Sequence, residues 1–83
     1  MTVHTYELAD DLSAFVTSYP VDGFELEICR WEEGDWQPIE QEKRMIGYTL
    51  WEAVCDVLNR NGYEYEQAQQ LATQGGIEEA YTD

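Results

Sequence analysis

The chain has 83 residues and a formal net charge of −14, because eighteen Asp and Glu residues face only four Lys and Arg residues. This length supports one domain, so we treat residues 1–83 as a single acidic domain. Hydrophobic residues make up 43% of the chain, and its three Trp, six Tyr and two Phe residues argue against intrinsic disorder. Affinity for phosphate groups comes from Lys and Arg, so the charge disfavours direct binding to nucleic acid or to an anionic membrane.

Two features favour a cytoplasmic protein. The first residues contain neither the basic nor the apolar region of a signal peptide. No apolar run approaches the roughly 20 residues that span a bilayer, so we expect no membrane contact. Cys29 and Cys55 would stay reduced in the cytoplasm, and their spacing does not match a zinc pattern, so we interpret them as buried or half-buried thiols.

The first twenty residues predict a helix. Apolar side chains recur at i, i+4, i+7, i+8 and i+11, which forms one stripe at the helical period. The stripe consists of Leu8, Leu12, Phe15, Val16 and Tyr19. Asp10 and Asp11 suit the positive end of a helix, and Pro20 forces the preceding residue out of helical geometry. We therefore expect a helix over 9–18, preceded by a short strand or an extended arm over 1–8.

The segment that follows has a period of two, which is typical of a strand. Its apolar and acidic side chains alternate in the order Phe24, Glu25, Leu26, Glu27 and Ile28. One face of this strand is therefore expected to enter the core, while the other face carries two carboxylates.

A hairpin is predicted between Trp31 and Trp36. Four residues connect the two tryptophans, and Gly34 among them can adopt positive φ. The return strand would run from Trp36 to about Gln41. Pro38 lacks a backbone donor, which places this strand at an edge of the sheet and protects that edge against pairing with a second copy. We therefore expect a monomer.

The best helix signal lies in the second half of the chain. Thr49 followed by Glu52 is a capping box, in which each side chain satisfies a backbone donor that the first turn leaves free. Arg60 suits the negative end of the helix, and Asn61-Gly62 supplies a left-handed stop. The sequence therefore predicts a helix over 50–60.

A last helix is predicted over 64–73, with a thin apolar face and a stop at Gly75-Gly76. Residues 77–83 are interpreted as a frayed acidic tail. The fold class that follows is α+β, with a small antiparallel β-hairpin or sheet and about three helices packed on one side of it.

An enzyme is not expected. The single histidine, His4, lies in the N-terminal segment, and neither cysteine has a recognisable nucleophile signature beside it. Gly75-Gly76 lacks the Lys and Ser or Thr of a phosphate-binding loop, and the acids lack the spacing of a calcium loop. We therefore predict no catalytic residue, no cofactor and no metal.

The clustered acids are more informative. Glu25 and Glu27 share one strand face at a spacing of roughly 6.7 Å, which follows from the rise of a strand. The charge would continue around the hairpin tip through Glu32, Glu33 and Asp35, and the return strand could add Glu40 and Glu42. Such a row resembles the charge spacing of a nucleic-acid backbone, and a cationic protein groove could accept it. The alternative is an ordinary solvated surface.

Aromatic residues accompany these acids. Trp31 and Trp36 bracket the hairpin, and Trp is enriched at binding hot spots, although the pair could instead stack across the hairpin. Tyr63 and Tyr65 lie among acids in a second patch that could bind Arg, or could serve only in helix packing. The residues predicted to contact a partner are Glu25, Glu27, Trp31, Glu32, Glu33, Asp35, Trp36, Glu64, Tyr65 and Glu66.

In its size, its charge and its segment from Glu25 to Asp35, the chain resembles the small acidic phage-type inhibitors of bacterial defence, which include anti-CRISPR proteins and DNA mimics. The resemblance implies a stoichiometric inhibitor that occupies a basic, nucleic-acid-binding surface of a bacterial defence complex without turnover. The protein would then act in the cytoplasm of the host cell.

Two other functions remain open at this point. The chain could be an antitoxin or immunity protein that neutralises a basic toxin. It could also be an acidic housekeeping domain of a salt-adapted organism, although such surfaces usually favour Asp, and this chain has twelve Glu and six Asp residues.

Overall fold

The computed structural model describes residues 2–19, 23–43 and 49–77. Within these ranges, four strands are followed by two helices. The elements are β1 (Thr2–Ala9), β2 (Leu12–Tyr19), β3 (Gly23–Glu32), β4 (Asp35–Lys43), α1 (Leu50–Arg60) and α2 (Tyr65–Gln74). The strands form one antiparallel sheet in the order β1-β2-β3-β4, and the helices pack on one side of it. The α+β class is confirmed, with two helices in the described ranges rather than about three.

The helix expected over 9–18 is wrong, because these residues belong to β1, a turn and β2. Leu8, Leu12 and Val16 are four residues apart, and this even spacing fits a strand as well as a helix. Ala14 lies between Leu12 and Val16 at a period of two and is completely buried. The two acids expected at a helix start instead occupy the turn that pairs Ala9 with Leu12.

The N-terminal segment is a strand rather than an extended arm. Residues of β1 pair with β2 from Thr2↔Ser18 to Ala9↔Leu12, so His4 lies within a regular edge strand. The first nineteen residues therefore supply two of the four strands.

The predicted hairpin is confirmed, with a tighter connection. Glu32 pairs with Asp35, so the loop is only the two residues Glu33 and Gly34. Both have positive φ, 51° and 83°, as a type I′ turn requires, and this turn matches the twist of the flanking strands. The return strand β4 lies at the edge of the sheet and contains Pro38, as the sequence predicted.

The sheet has two unlike faces. The covered face carries the residues that pack against the helices, which are Leu8, Leu12, Ala14, Val16, Leu26 and Ile28. The other side, which no described helix covers, is called the open face below. In β2 and β3 it carries the odd-numbered side chains, because neighbouring residues in a strand point to opposite sides.

The helices complete the core on the covered face. Their fully buried side chains are Ala53, Val54, Cys55, Leu58, Ala68 and Ala72. Ile77 joins the same core at 5% exposure, so the frayed tail predicted from residue 77 is wrong for that residue, and residues 78–83 lie outside the described ranges. Cys29 and Cys55 are both buried, as predicted.

The helix boundaries agree closely with the sequence signals. α1 begins after Thr49, whose hydroxyl accepts a hydrogen bond from the backbone N–H of Glu52 at 3.0 Å. The chain leaves α1 through Asn61 and Gly62, and Gly62 has a φ of 98°. α2 is shifted by one residue from the expected range. Neither helix in the described part of the chain has the length and apolarity needed to cross a bilayer.

Candidate interaction surface

Three aromatic rings form a cluster on the open face, and we call Phe15, Trp31 and Trp36 the aromatic cluster. Trp31 and Trp36 are cross-strand neighbours whose ring centroids lie 5.2 Å apart at an interplanar angle of 75°. Phe15 in β2 meets Trp36 in β4 edge-on, with centroids 6.1 Å apart, so the contact spans β3. The tryptophans pack edge to face across the hairpin, yet Trp31 remains 47% exposed. The cluster therefore serves packing and still offers apolar surface to a partner.

Beneath the cluster, two small side chains are buried on the face that no described helix covers. Ser13 and Cys29 are register partners and are 1% and 3% exposed. The Cys29 thiol donates a hydrogen bond to Oε1 of Glu27 at 3.3 Å. Burial, followed by this bond and the negative charge of Glu27, raises the pKa of Cys29 to about 12. The thiol is therefore protonated at neutral pH, which is the opposite of what a catalytic cysteine needs.

Glu25 and Glu27 lie on one strand face, as predicted, and that face is the open one. Glu25 accepts a hydrogen bond from the Tyr19 hydroxyl at 2.8 Å, and Glu27 accepts the bond from Cys29. The donors are a hydroxyl and a thiol, and these bonds orient the two carboxylates. Along β3, Glu25 stands opposite Lys43 in the register, and Glu27 stands opposite Gln41.

A shallow depression of about 120 Å³ lies between these carboxylates. Phe15 and Thr17 of β2 border it on one side, and Gln41 of β4 borders it on the other. Its rim therefore combines two anionic groups, an aromatic ring and an amide.

The predicted extension of the acidic row to Glu40 and Glu42 is wrong. A β-bulge between Ile28 and Cys29 shifts the register of β4, because two residues there oppose one residue of β3. Simple alternation from Trp36 would place both acids on the open face. The shift moves them to the covered face instead, where they stand opposite Ile28 and Leu26.

Glu40 and Glu42 are neutralised in that position. The Arg60 guanidinium of α1 contacts both carboxylates, and the Asn61 amide donates to Oε1 of Glu40 at 2.9 Å. Burial alone would raise the pKa of Glu40, but the hydrogen bonds from Arg60 and Asn61 and the positive charge of Arg60 lower it. These two acids are therefore structural ion-pair partners rather than part of an exposed row.

The tip of the hairpin carries three exposed acids next to the aromatic cluster. They are Glu32, Glu33 and Asp35, and Oδ1 of Asp35 accepts the backbone N–H of Trp36 at 2.8 Å. Seven of the ten predicted contact residues consequently lie on one hairpin. These seven residues lie on β3, on β4 and in the turn that joins them.

The second predicted patch lies in the layer on the covered side of the sheet. Glu64 is the N-cap residue of α2, Tyr65 and Glu66 begin the helix, and Tyr65 is 48% exposed. Arg30 of β3 donates to the Tyr63 hydroxyl at 2.9 Å, and its guanidinium carbon lies 6.0 Å from the ring centroid. Tyr63 is thus engaged by the protein itself.

Phe15 is the surface residue that sequence reasoning missed. It was assigned to the core stripe of a helix, whereas the strand directs it to the open face beside Trp36. The pattern Ser13, Phe15, Thr17 at a period of two was the signal that could have identified it.

Within residues 2–19, 23–43 and 49–77, no group of three or more His, Cys, Asp or Glu side chains is placed to hold a metal ion. Comparison of the chain with protein-family models, with curated proteins and with solved structures finds no match. The chemistry of the described surface therefore carries the functional argument. That surface combines one exposed and two partly buried aromatic rings with acidic side chains.

Proposed function

We propose that the chain is a stoichiometric inhibitor that binds a basic, nucleic-acid-binding surface of a bacterial defence complex. The open face and the hairpin tip would form its contact surface. The observation that carries the proposal is a sheet face, not covered by any helix in the described ranges, on which the aromatic cluster lies next to Glu25, Glu27 and the three tip acids. No turnover is involved in this function, since the chain acts by occupying the partner.

The net charge of the chain supports a partner with a basic surface. A net charge of −14 exceeds the magnitude of roughly 2–8 that keeps a small domain soluble, and self-repulsion at this density opposes folding. A complementary basic surface gains from this charge, because opposite potentials accelerate encounter and fix orientation. The effect is screened over about 8 Å at physiological ionic strength, so complex formation should weaken as salt rises.

The aromatic cluster supports the location of the contact surface on the open face and the hairpin tip. Binding energy at interfaces is concentrated in a few Trp, Tyr and Arg residues that lie near the centre and are surrounded by polar groups. Trp31 and Trp36 have this setting, with carboxylates along β3 and at the tip around them. The rings are held by one another and by Phe15, so little side-chain entropy is lost when a partner covers them.

The proposal is tested by phage infection of cells that carry an active defence system and express the chain. We expect restored plaque formation with the native protein and none with the triple variant Glu32→Lys, Glu33→Lys, Asp35→Lys. The matched control is Glu52→Lys, Glu64→Lys, Glu66→Lys, which changes the net charge equally in the helical layer and should retain protection. All six positions are exposed, so both variants should fold.

Binding is measured in parallel by capture of the defence complex on the immobilised chain at low salt. Loss of capture only in the hairpin variant supports the assigned surface. Equal loss in both variants would show that net charge alone matters, and unchanged capture by the hairpin variant would reject the surface.

A further inference from the structure

We propose that the depression on the open face receives one arginine side chain of the partner and selects arginine over lysine. The inference rests on the proposed function, since it requires a basic partner that docks on this face. It specifies which cation the surface recognises and where that cation lies.

The covered face of the same sheet shows the arrangement in its occupied form. Glu40 and Glu42 are two residues apart on one side of β4, and the Arg60 guanidinium contacts both carboxylates. Glu25 and Glu27 have the same spacing on the open side of β3. Side chains at i and i+2 on a strand leave the backbone roughly 6–7 Å apart, so one cation binds both carboxylates only where the two side chains converge on it. On the covered face they do so, because both carboxylates contact a single nitrogen of the Arg60 guanidinium.

The size of the depression suits a single side chain. Its volume of about 120 Å³ is well below the roughly 300–1,000 Å³ of small-molecule pockets. Leu26 of β3 lines it together with Phe15 of β2 and Gln41 of β4. A planar head group inserted between them would meet the aromatic ring, the amide and both carboxylates.

The chemistry of these groups favours guanidinium over ammonium. Arginine presents five donors in a rigid planar fork, is weakly hydrated, and stacks on aromatic rings, whereas lysine is a compact and strongly hydrated charge. The bonds from Tyr19 and Cys29 occupy Oε1 of Glu25 and Oε1 of Glu27. A carboxylate can accept about four hydrogen bonds, so both groups retain acceptor capacity toward an incoming fork. These bonds also fix the carboxylates before binding, which lowers the entropic cost.

The test uses two peptides of equal charge, hexa-arginine and hexa-lysine, titrated into the full chain at low salt. Affinity is measured by calorimetry, and the binding site is mapped by amide and tryptophan indole chemical shifts. We expect hexa-arginine to bind roughly tenfold more tightly, the size expected for one stacked and charge-paired group. The largest shifts are expected at Phe15, Glu27 and Gln41.

The variant Glu27→Gln should reduce this preference to nearly equal affinities while binding of hexa-lysine falls only slightly. The matched control Glu52→Gln removes the same charge from an exposed position in the helical layer and should keep the preference. Phe15→Leu provides a second variant that leaves every carboxylate in place and should also lower the preference. Thermal melts of each variant verify that the fold is retained.

Failure of this inference differs from failure of the proposed function. Equal affinities of the two peptides for the native chain, with shifts on the open face, would overturn arginine selection and leave a basic partner in place. Shifts confined to the helical layer, or no binding of either peptide, would remove the docking surface itself and arginine selection with it.

Discussion

The two faces of the sheet use the same residue types for opposite purposes. On the covered face, Glu40 and Glu42 are neutralised by Arg60 at the edge of an apolar core. On the open face, Glu25 and Glu27 have the same spacing along the strand but accept hydrogen bonds from a hydroxyl and a thiol. The role of a pair of acids therefore depends on which donors the other strands and helices bring beside it.

The largest expected contrast between the faces is in stability. Leu26 is completely buried on the covered face, and Leu26→Ala should cost about 2–5 kcal/mol, a large part of the roughly 5–15 kcal/mol expected for a domain. Trp31 is 47% exposed on the open face, and Trp31→Ala should cost only about 1 kcal/mol. Urea unfolding of both variants measures the two losses. Equal losses would mean that the open face is a second core rather than a binding surface.

The next contrast concerns the cover that the aromatic cluster gives to Cys29. Trp36→Ala should expose the thiol and lower its pKa from about 12 toward the ordinary value of 9.0. Each unit of decrease raises the thiolate fraction at neutral pH about tenfold, and reaction with a disulfide reagent should accelerate in proportion. Mass spectrometry distinguishes Cys29 from Cys55 after labelling.

Tyr65→Ala is the control for that experiment, because it removes an exposed aromatic ring from α2 and should leave labelling of Cys29 slow. A rate in Trp36→Ala that matches the native rate would show that the strands alone bury the thiol. The aromatic cluster would then have no role in burying Cys29.

Elements whose boundaries depend on local hydrogen bonds were predictable from the sequence, whereas features that depend on contacts between distant segments were not. The helix over 50–60 was predictable because its start at Thr49 and its stop at Asn61 are local hydrogen-bonding signals. The strand beginning near Phe24 was predictable because strict alternation excludes a helical face. The helix over 9–18 was wrongly predicted from Leu8, Leu12 and Val16, because a spacing of four residues fits the period of a strand as well as that of a helix.

The errors at the candidate site have a distant cause. Which acids share a face depends on strand pairing, and a single bulge opposite Cys29 moves Glu40 and Glu42 to the other side of the sheet. No local pattern in residues 36–42 encodes that shift. The hairpin tip was predictable, since Glu32 and Asp35 follow directly from the turn at Gly34.

A smaller effect is expected from titration of the open-face thiol. The pKa of Cys29 is raised in the folded protein, so the protonated thiol stabilises the fold fully below the ordinary pKa of 9.0, and this contribution is lost as pH rises toward about 12. Cys29→Ser removes this titration. The stability difference between the native chain and Cys29→Ser, measured by urea unfolding, should therefore narrow from pH 8 to pH 11. A constant difference over that range would contradict the assignment.

The smallest effect is expected on the covered face, where the ion pairs of Arg60 are partly exposed to solvent. The pKa of Glu40 is lowered from its ordinary value of 4.5, so its ionised form stabilises the fold above pH 4.5, and this contribution is lost as pH falls through the lower folded value. Arg60→Gln should cost at most about 1 kcal/mol at neutral pH, because exposed ion pairs contribute little. The cost should shrink in acid.

Arg30→Gln is the matched control for that titration, since it removes one positive charge whose hydrogen bond goes to the Tyr63 hydroxyl instead of a carboxylate. Its cost should change much less between pH 7 and pH 3, as followed by thermal unfolding. If the stability cost of both arginine substitutions fell equally in acid, the cause would be a general charge effect. The loss of any cation relieves repulsion once the carboxylates are protonated. A decrease of the cost confined to Arg60→Gln would instead establish that Glu40 and Glu42 on the covered face are held by one specific cation of α1.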